Sequence, residues 1–207
     1  MSSAPPPPIP VIEFSLASRG ISKGLSQSDG PQFAVRGELP RGPLYVGGYW
    51  KNVTSTSSGG EAGAIIGLRK KAAGFSLAAS ATLKIATSPA AASDDKALEL
   101  AGTVSRKFGR LTPQLALIWS PDDLGPTRRS FFVEASASYS LLPHTIVSAA
   151  IGRRDRVVGA DYTAFNAGVT QTLSHNLTAD LRYYGTNKRG LGYTYHPGLI
   201  GSVRARF

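Results

Sequence analysis

Apolar and polar side chains alternate with a period of two from Val11 to Phe207, and no window keeps apolar residues at a helical spacing for three turns. The pattern predicts an all-β chain. Strands are expected over Val11–Arg19, Gln32–Leu39, Leu44–Lys51, Glu61–Lys70, Phe75–Thr87, Lys96–Phe108, Leu111–Trp119, Ser130–Leu141, Thr145–Arg153, Asp161–Leu173, Leu177–Gly185 and Gly198–Phe207. The connections alternate between short and long. Tight turns rich in Gly, Pro, Asn or Ser fall at Pro40–Pro43, Lys71–Gly74, Gly109–Arg110, Leu142–His144 and Ser174–Asn176. Longer segments lie between them at Gly20–Pro31, Asn52–Gly60, Ser88–Asp95, Pro121–Arg129, Arg154–Ala160 and Thr186–Pro197.

An up-and-down barrel with short turns on one rim and long loops on the other produces this order, whereas a sandwich with Greek-key crossovers does not sustain it. The expected fold is a closed, antiparallel, transmembrane β-barrel of twelve strands. An even count puts both termini on the short-turn rim, the periplasmic side of such barrels. Twelve strands leave about 16 residues for each strand with its connection, enough for spans of about 9 to 11. Merging two weak hairpins gives ten strands as the alternative. Residues 1–10, with their Pro-rich run, read as a polyproline-like tail, and residues 11–207 as one barrel domain.

The alternation also sorts the faces. Phe75, Leu77, Ala79, Ala81, Leu83 and Ile85 share one face, opposite Ser76, Ala78, Ser80, Thr82 and Lys84; Leu177, Ala179, Leu181 and Tyr183 oppose Thr178, Asp180, Arg182 and Tyr184. A basic side chain facing the bilayer midplane costs about 2 to 4 kcal/mol, so a one-residue slip is strongly disfavoured. The polar face is therefore expected inside. It carries Glu13, Arg19, Arg36, Glu38, Tyr45, Tyr49, Lys51, Glu61, Arg69, Lys84, Glu99, Glu134, Asp180, Arg182, Tyr184, Arg204 and Arg206 as the lining of a lumen. A soluble lipocalin-type barrel would invert the arrangement. Two features speak against inversion. Aromatics at Phe14, Phe33, Trp50, Phe108, Trp119, Phe131, Tyr139 and Phe207 fall toward strand ends, as interfacial girdles require. The last strand, ending in Phe207, resembles the C-terminal signal read by the barrel-assembly machinery.

Composition agrees. Charged residues make up only 17% of the 207 residues, and no uncharged apolar stretch is long enough for a membrane helix. The mean hydropathy of −0.07 does not argue for a soluble protein, because alternating strands average to nothing. Cysteine is absent, which removes disulfides and thiolate metal sites. The first ten residues hold neither a basic nor an apolar signal region, so a precursor is expected to carry a signal that this sequence lacks, with Met1 as an added start.

The stretch RGISKGLSQSDGPQFAVRGEL followed by LYVGGYWKNV resembles the opening of the TorF family of porins, with Gly20, Ile21, Ser22 and Ser26 to Asp29 keeping the pattern and Lys23 to Leu25 inserted. FNAGVTQTLSHNLTADLRYYGTN is similar to that family's penultimate hairpin. The resemblance implies an outer-membrane barrel with pore activity assigned by analogy and no catalytic residues to carry over.

Candidate chemistry beyond a passage is sparse. His144, His175 and His196 lie in separate turns without metal-ligand spacing, and no nucleophile elbow, phosphate loop or dinucleotide fingerprint occurs, so no enzyme activity, metal or cofactor is expected. Asp94 with Asp95 and Asp122 with Asp123 could hold calcium, but solvated loop acids are the expected reading. The formal net charge of +10 calls for anionic partners. Arg128, Arg129, Arg153, Arg154, Arg156, Lys188 and Arg189 are expected at the long-loop rim, facing lipopolysaccharide phosphates. Nucleic acid is disfavoured because the cations form no single stripe. Twelve strands sit between side-chain-filled and open barrels, and predict a narrow passage that weakly favours anions. The alternative is a pore-less structural or binding barrel closed by Glu–Arg pairs, with the Pro-rich tail as a further candidate plug.

Overall fold

The computed structural model describes residues 9–55, 58–89 and 95–207. Its strands are β1 (Val11–Ala17), β2 (Ile21–Ser22), β3 (Leu25–Ser26), β4 (Gln32–Arg41), β5 (Leu44–Ser55), β6 (Ser58–Ala72), β7 (Phe75–Pro89), β8 (Lys96–Arg106), β9 (Leu111–Asp123), β10 (Arg128–Leu142), β11 (Thr145–Arg156), β12 (Tyr162–Thr172), β13 (Leu177–Thr186) and β14 (Gly198–Arg206). All but β2 and β3 form one closed antiparallel barrel of twelve strands in sequence order, not ten.

The seam joins the two ends of the chain. Glu13 opposes Arg206 and Phe14 opposes Ala205, and Ile12 and Phe207 exchange backbone hydrogen bonds of 2.9 and 2.8 Å. Closure leaves the barrel sheet without an unpaired edge among the described residues, which is what strands in lipid require. Each expected strand has its counterpart. Several run further into the long loops: β6 begins at Ser58, β9 reaches Asp123, and β11 reaches Arg156.

Side chains divide by parity. Ile12, Phe14 and Leu16 on β1, Ile66 and Leu68 on β6, Leu98 and Leu100 on β8, and Leu181 and Tyr183 on β13 are exposed on the outer face. Their sequence neighbours Glu13, Arg69, Glu99 and Arg182 point inward. A contiguous apolar exterior of this extent is far larger than a monomer tolerates in water. It suits hydrocarbon, and the fold is that of a transmembrane β-barrel.

One expectation for the loops fails. Gly20–Pro31 is not a plain connection, because β2 and β3 pair within it, Ile21 with Ser26 and Ser22 with Leu25. The two residues between them, Lys23 at φ 50° and Gly24 at φ 79°, both occupy the left-handed region. That is the backbone of a tight hairpin turn, the same solution that Ala73 and Gly74 use between β6 and β7.

Candidate functional site

This small hairpin folds into the barrel. Its tip lies against β12: a Cβ on Gly24 would collide with the methyl of Ala164, so the approach depends on glycine. The hydroxyl of Tyr162, a fully buried residue, donates to the carbonyl of Lys23 at 2.7 Å. The base of the loop is tied by Gln27 N–H to Gly20 C=O at 2.8 Å and Gly20 N–H to Ser28 Oγ at 2.7 Å.

The Lys23 ammonium crosses to the far wall. It lies 2.7 Å from Glu99 and 3.0 Å from Asp123, with its side chain only 6% exposed. Glu99 also pairs with Lys84, and Asp123 also accepts from Arg154 at 2.7 Å and from Ser130 Oγ at 3.0 Å. Burial, reinforced by Lys84, draws the Lys23 ammonium below the ordinary lysine value against the pull of Asp123 and Glu99. Beside this cluster, Lys51 bridges Gln27 at 2.6 Å and Glu61 at 3.2 Å, while Tyr49 donates to Glu61 at 2.6 Å.

The other expected lining residues also face inward, in smaller groups. Arg69 forks onto Glu38, stacks over Tyr45 with 4.0 Å to the ring centre, and shares the carboxylate with Arg36. Arg182 reaches Asp180 at 3.0 Å, Asn166 at 2.9 Å and Ser148 at 2.8 Å. Arg204 lies 3.3 Å from Glu13. Arg206 follows at the lower mouth, and Tyr184 and Glu134 face the central lumen. Arg19 lies past the end of β1, against Gly198 and under the Tyr193 ring at 5.5 Å.

Among the described residues, several cavities occupy the lumen. The largest, about 620 Å³, lies on one side of the hairpin tip, and a smaller one of about 190 Å³ lies on the other. Ser22 and Lys23 line both, so the tip is the partition between them. A third, about 310 Å³, opens between Glu13, Arg36, Glu38, Arg69 and Arg206 at the short-turn end.

On the outside, Phe33, Trp50, Trp119 and Phe131 sit toward the long-loop ends of their strands, and Tyr139, Phe108 and Phe207 toward the short-turn ends. Phe14 lies between Phe33 and Phe207, each 6.4 Å away. Phe75, Phe165 and Tyr183 are outward too and belong with them.

Two expectations about loop charges are corrected. Arg154 does not face outward but is buried on Asp123, because β11 continues to Arg156 and its parity places Arg154 inside. Arg156 is half-buried and spends its guanidinium on Ala160 C=O and the Tyr195 hydroxyl. Asp123 is likewise no solvated loop acid. By contrast Arg128, Arg129, Arg153, Lys188 and Arg189 are exposed, as are Asp95 and Asp122. Asp94 and residues 1–8 of the tail lie outside the described residues. The three histidines are exposed, and no metal-binding group occurs among the described residues.

The residues missed from the sequence were Lys23, Gln27, Asp123, Arg154, Tyr162 and the inward Phe132. For the hairpin a signal existed, since Ile-Ser-Lys-Gly-Leu-Ser is a two-residue X-Gly turn between matched apolar-polar pairs.

Closed antiparallel barrels of this kind are found among solved outer-membrane proteins. The KdgM porin superposes with a TM-score of 0.64 at 10% identity, covering 95% of this chain and 98% of that one. The NanC porin gives 0.60 at 7% identity over 94% and 97%. The COG4313 outer membrane channel from Pseudomonas putida F1 gives 0.57 at 15% identity over 99% and 97%. At such identities the likeness establishes the fold. No family model and no curated protein sequence matches the chain.

Proposed function

We propose that the chain is an outer-membrane porin of the TorF kind: a narrow passive channel, not an enzyme, for small hydrophilic solutes. The observation that carries this reading is a lumen that bears charged and polar side chains and holds cavities on both sides of a hairpin that constricts it. Arg36, Arg69, Arg204 and Arg206 outnumber Glu13 and Glu38 at the short-turn mouth, which supports a weak preference for anions. The exposed Arg128, Arg129 and Arg153 suit lipopolysaccharide phosphates at the outer rim, and the strand ending in Phe207 suits delivery by the barrel-assembly machinery, with both termini periplasmic. Replacing those three arginines should release bound lipopolysaccharide; unchanged retention would remove that part of the proposal.

The test is conductance in planar bilayers together with liposome swelling in graded sugars. Small ohmic steps and admission of only the smaller sugars are expected. A second reading, a barrel without a pore, draws on the ion pairs that Lys23 makes across the lumen. Absence of both conductance and swelling would establish it instead.

A further inference from the structure

The wall of the large cavity is graded along β9 and β10. Cross-strand pairs place Ser136 opposite Gln114 and Phe132 opposite Ile118, with Glu134 between them opposite Ala116 and, on its other side, Gly152. The small neighbours recess the wall at Glu134. Gly152 is covered by the Phe132 ring, so an apolar face lies beside the carboxylate.

The neighbouring charges are already engaged. Lys23 is held by Glu99 and Asp123, and Arg182 by Asp180, Asn166 and Ser148. Glu134 has no ion pair or hydrogen bond among the described residues, and neither do the side chains of Gln114 and Ser136. The cavity thus offers one free carboxylate, uncommitted hydroxyl and amide groups, and an aromatic face. A carboxylate in a partly dehydrated recess gains most from a cation that brings its own hydrogen-bonding groups.

We propose that this cavity binds a small hydroxylated ammonium compound of the amino-sugar type, with its ammonium on Glu134, its hydroxyls on Gln114 and Ser136, and its ring against Phe132. The proposal rests on the porin reading and concerns this one acidic recess, not the arginine-rich mouth from which the weak anion preference is argued. Its readout is binding, so it can fail while conductance persists, or stand where conductance is absent.

Calorimetric titration of the folded protein in detergent, run at about pH 6 and again at about pH 7, compares glucosamine with N-acetylglucosamine, which lacks the charge. Glucosamine should bind about tenfold more tightly, the scale of one charge-assisted hydrogen bond. Glu134→Gln should abolish that preference. Ala116→Leu, which fills the recess and keeps the charge, should weaken both sugars. Heat-modifiable migration confirms that each variant is folded. Equal affinity for the two sugars in the parent, no binding of either, or a preference that survives Glu134→Gln would overturn the proposal.

Discussion

Replacing Lys23 with Met removes the ammonium that ties the hairpin tip to Glu99 and Asp123 and keeps the side chain's length. The loss comprises two charge-assisted contacts, 2.7 Å to Glu99 and 3.0 Å to Asp123. Such contacts contribute about 1.5 to 3 kcal/mol each. Two facts reduce the sum. Glu99 keeps Lys84 and Asp123 keeps Arg154, so no carboxylate is orphaned, and the substitution also ends the desolvation that lowers the Lys23 pKa. A net loss of about 2 kcal/mol in docking is the reasonable middle, equivalent to an about 30-fold rise in the undocked-to-docked ratio. The Tyr162 bond to the Lys23 carbonyl survives, because it uses backbone, so docking weakens without vanishing. In single-channel recordings the variant should visit a larger conductance level more often and for longer than the parent, and the sugar cut-off in swelling should rise. A second variant, with residues 21–26 replaced by a short Gly-Ser link, should hold the larger level continuously. If the linked variant conducts as the parent does, the hairpin is not the constriction and the reasoning fails.

Ile66→Arg, on the outer face at mid-strand of β6, should destabilise the membrane-folded state by about 2 to 4 kcal/mol in urea titrations from vesicles, whereas an arginine at inward Ser136 should leave that midpoint nearly unchanged; equal effects would contradict the face assignment. Arg154→Ala leaves Asp123 with Lys23 and Ser130, so it should cost about 2 kcal/mol, less than an orphaned buried charge, read as an earlier loss of heat-modifiable migration. Arg69→Gln combined with Arg206→Gln should move the reversal potential in a salt gradient toward cation preference, with less effect at high salt, and an unmoved potential would locate selectivity elsewhere.

How much of this was legible depends on distance along the chain. The face of each strand follows from local parity, so the inward positions of Glu99, Arg182 and Arg204 could be read directly from alternation. Which inward charges meet could not, because that depends on register between strands and on a loop that turns inside. Lys23 finds Asp123 across 100 residues, and nothing near either residue encodes the meeting. Arg154 shows the intermediate case. The parity of β11 continues to Arg156 and puts Arg154 inside, yet its position beside Arg153 and Asp155, which pair with each other in solvent at 2.8 Å, gives the segment the composition of an exposed loop. Lys23 and Gly24, at the turn between β2 and β3, supply the contacts that reach the walls, and that turn is written in two adjacent residues.

The charge cluster also bears on how firmly the hairpin is held. A buried ion pair repays its desolvation poorly, and a barrel closed by its backbone ladder does not need one to hold together. Without Lys23 the wall is already balanced: Lys84 serves Glu99, and Arg154 serves Asp123. Lys23 adds a third cation to two satisfied carboxylates, so its departure strands no charge and its arrival is only modestly favourable. A plug evolved for permanence would instead leave a carboxylate that nothing else could satisfy, making undocking cost the full price of an orphaned ion. The Lys23 contacts therefore add only modestly to docking, and the hairpin's place in the lumen rests as much on the Tyr162 bond to the Lys23 carbonyl and the close approach of Gly24 to Ala164.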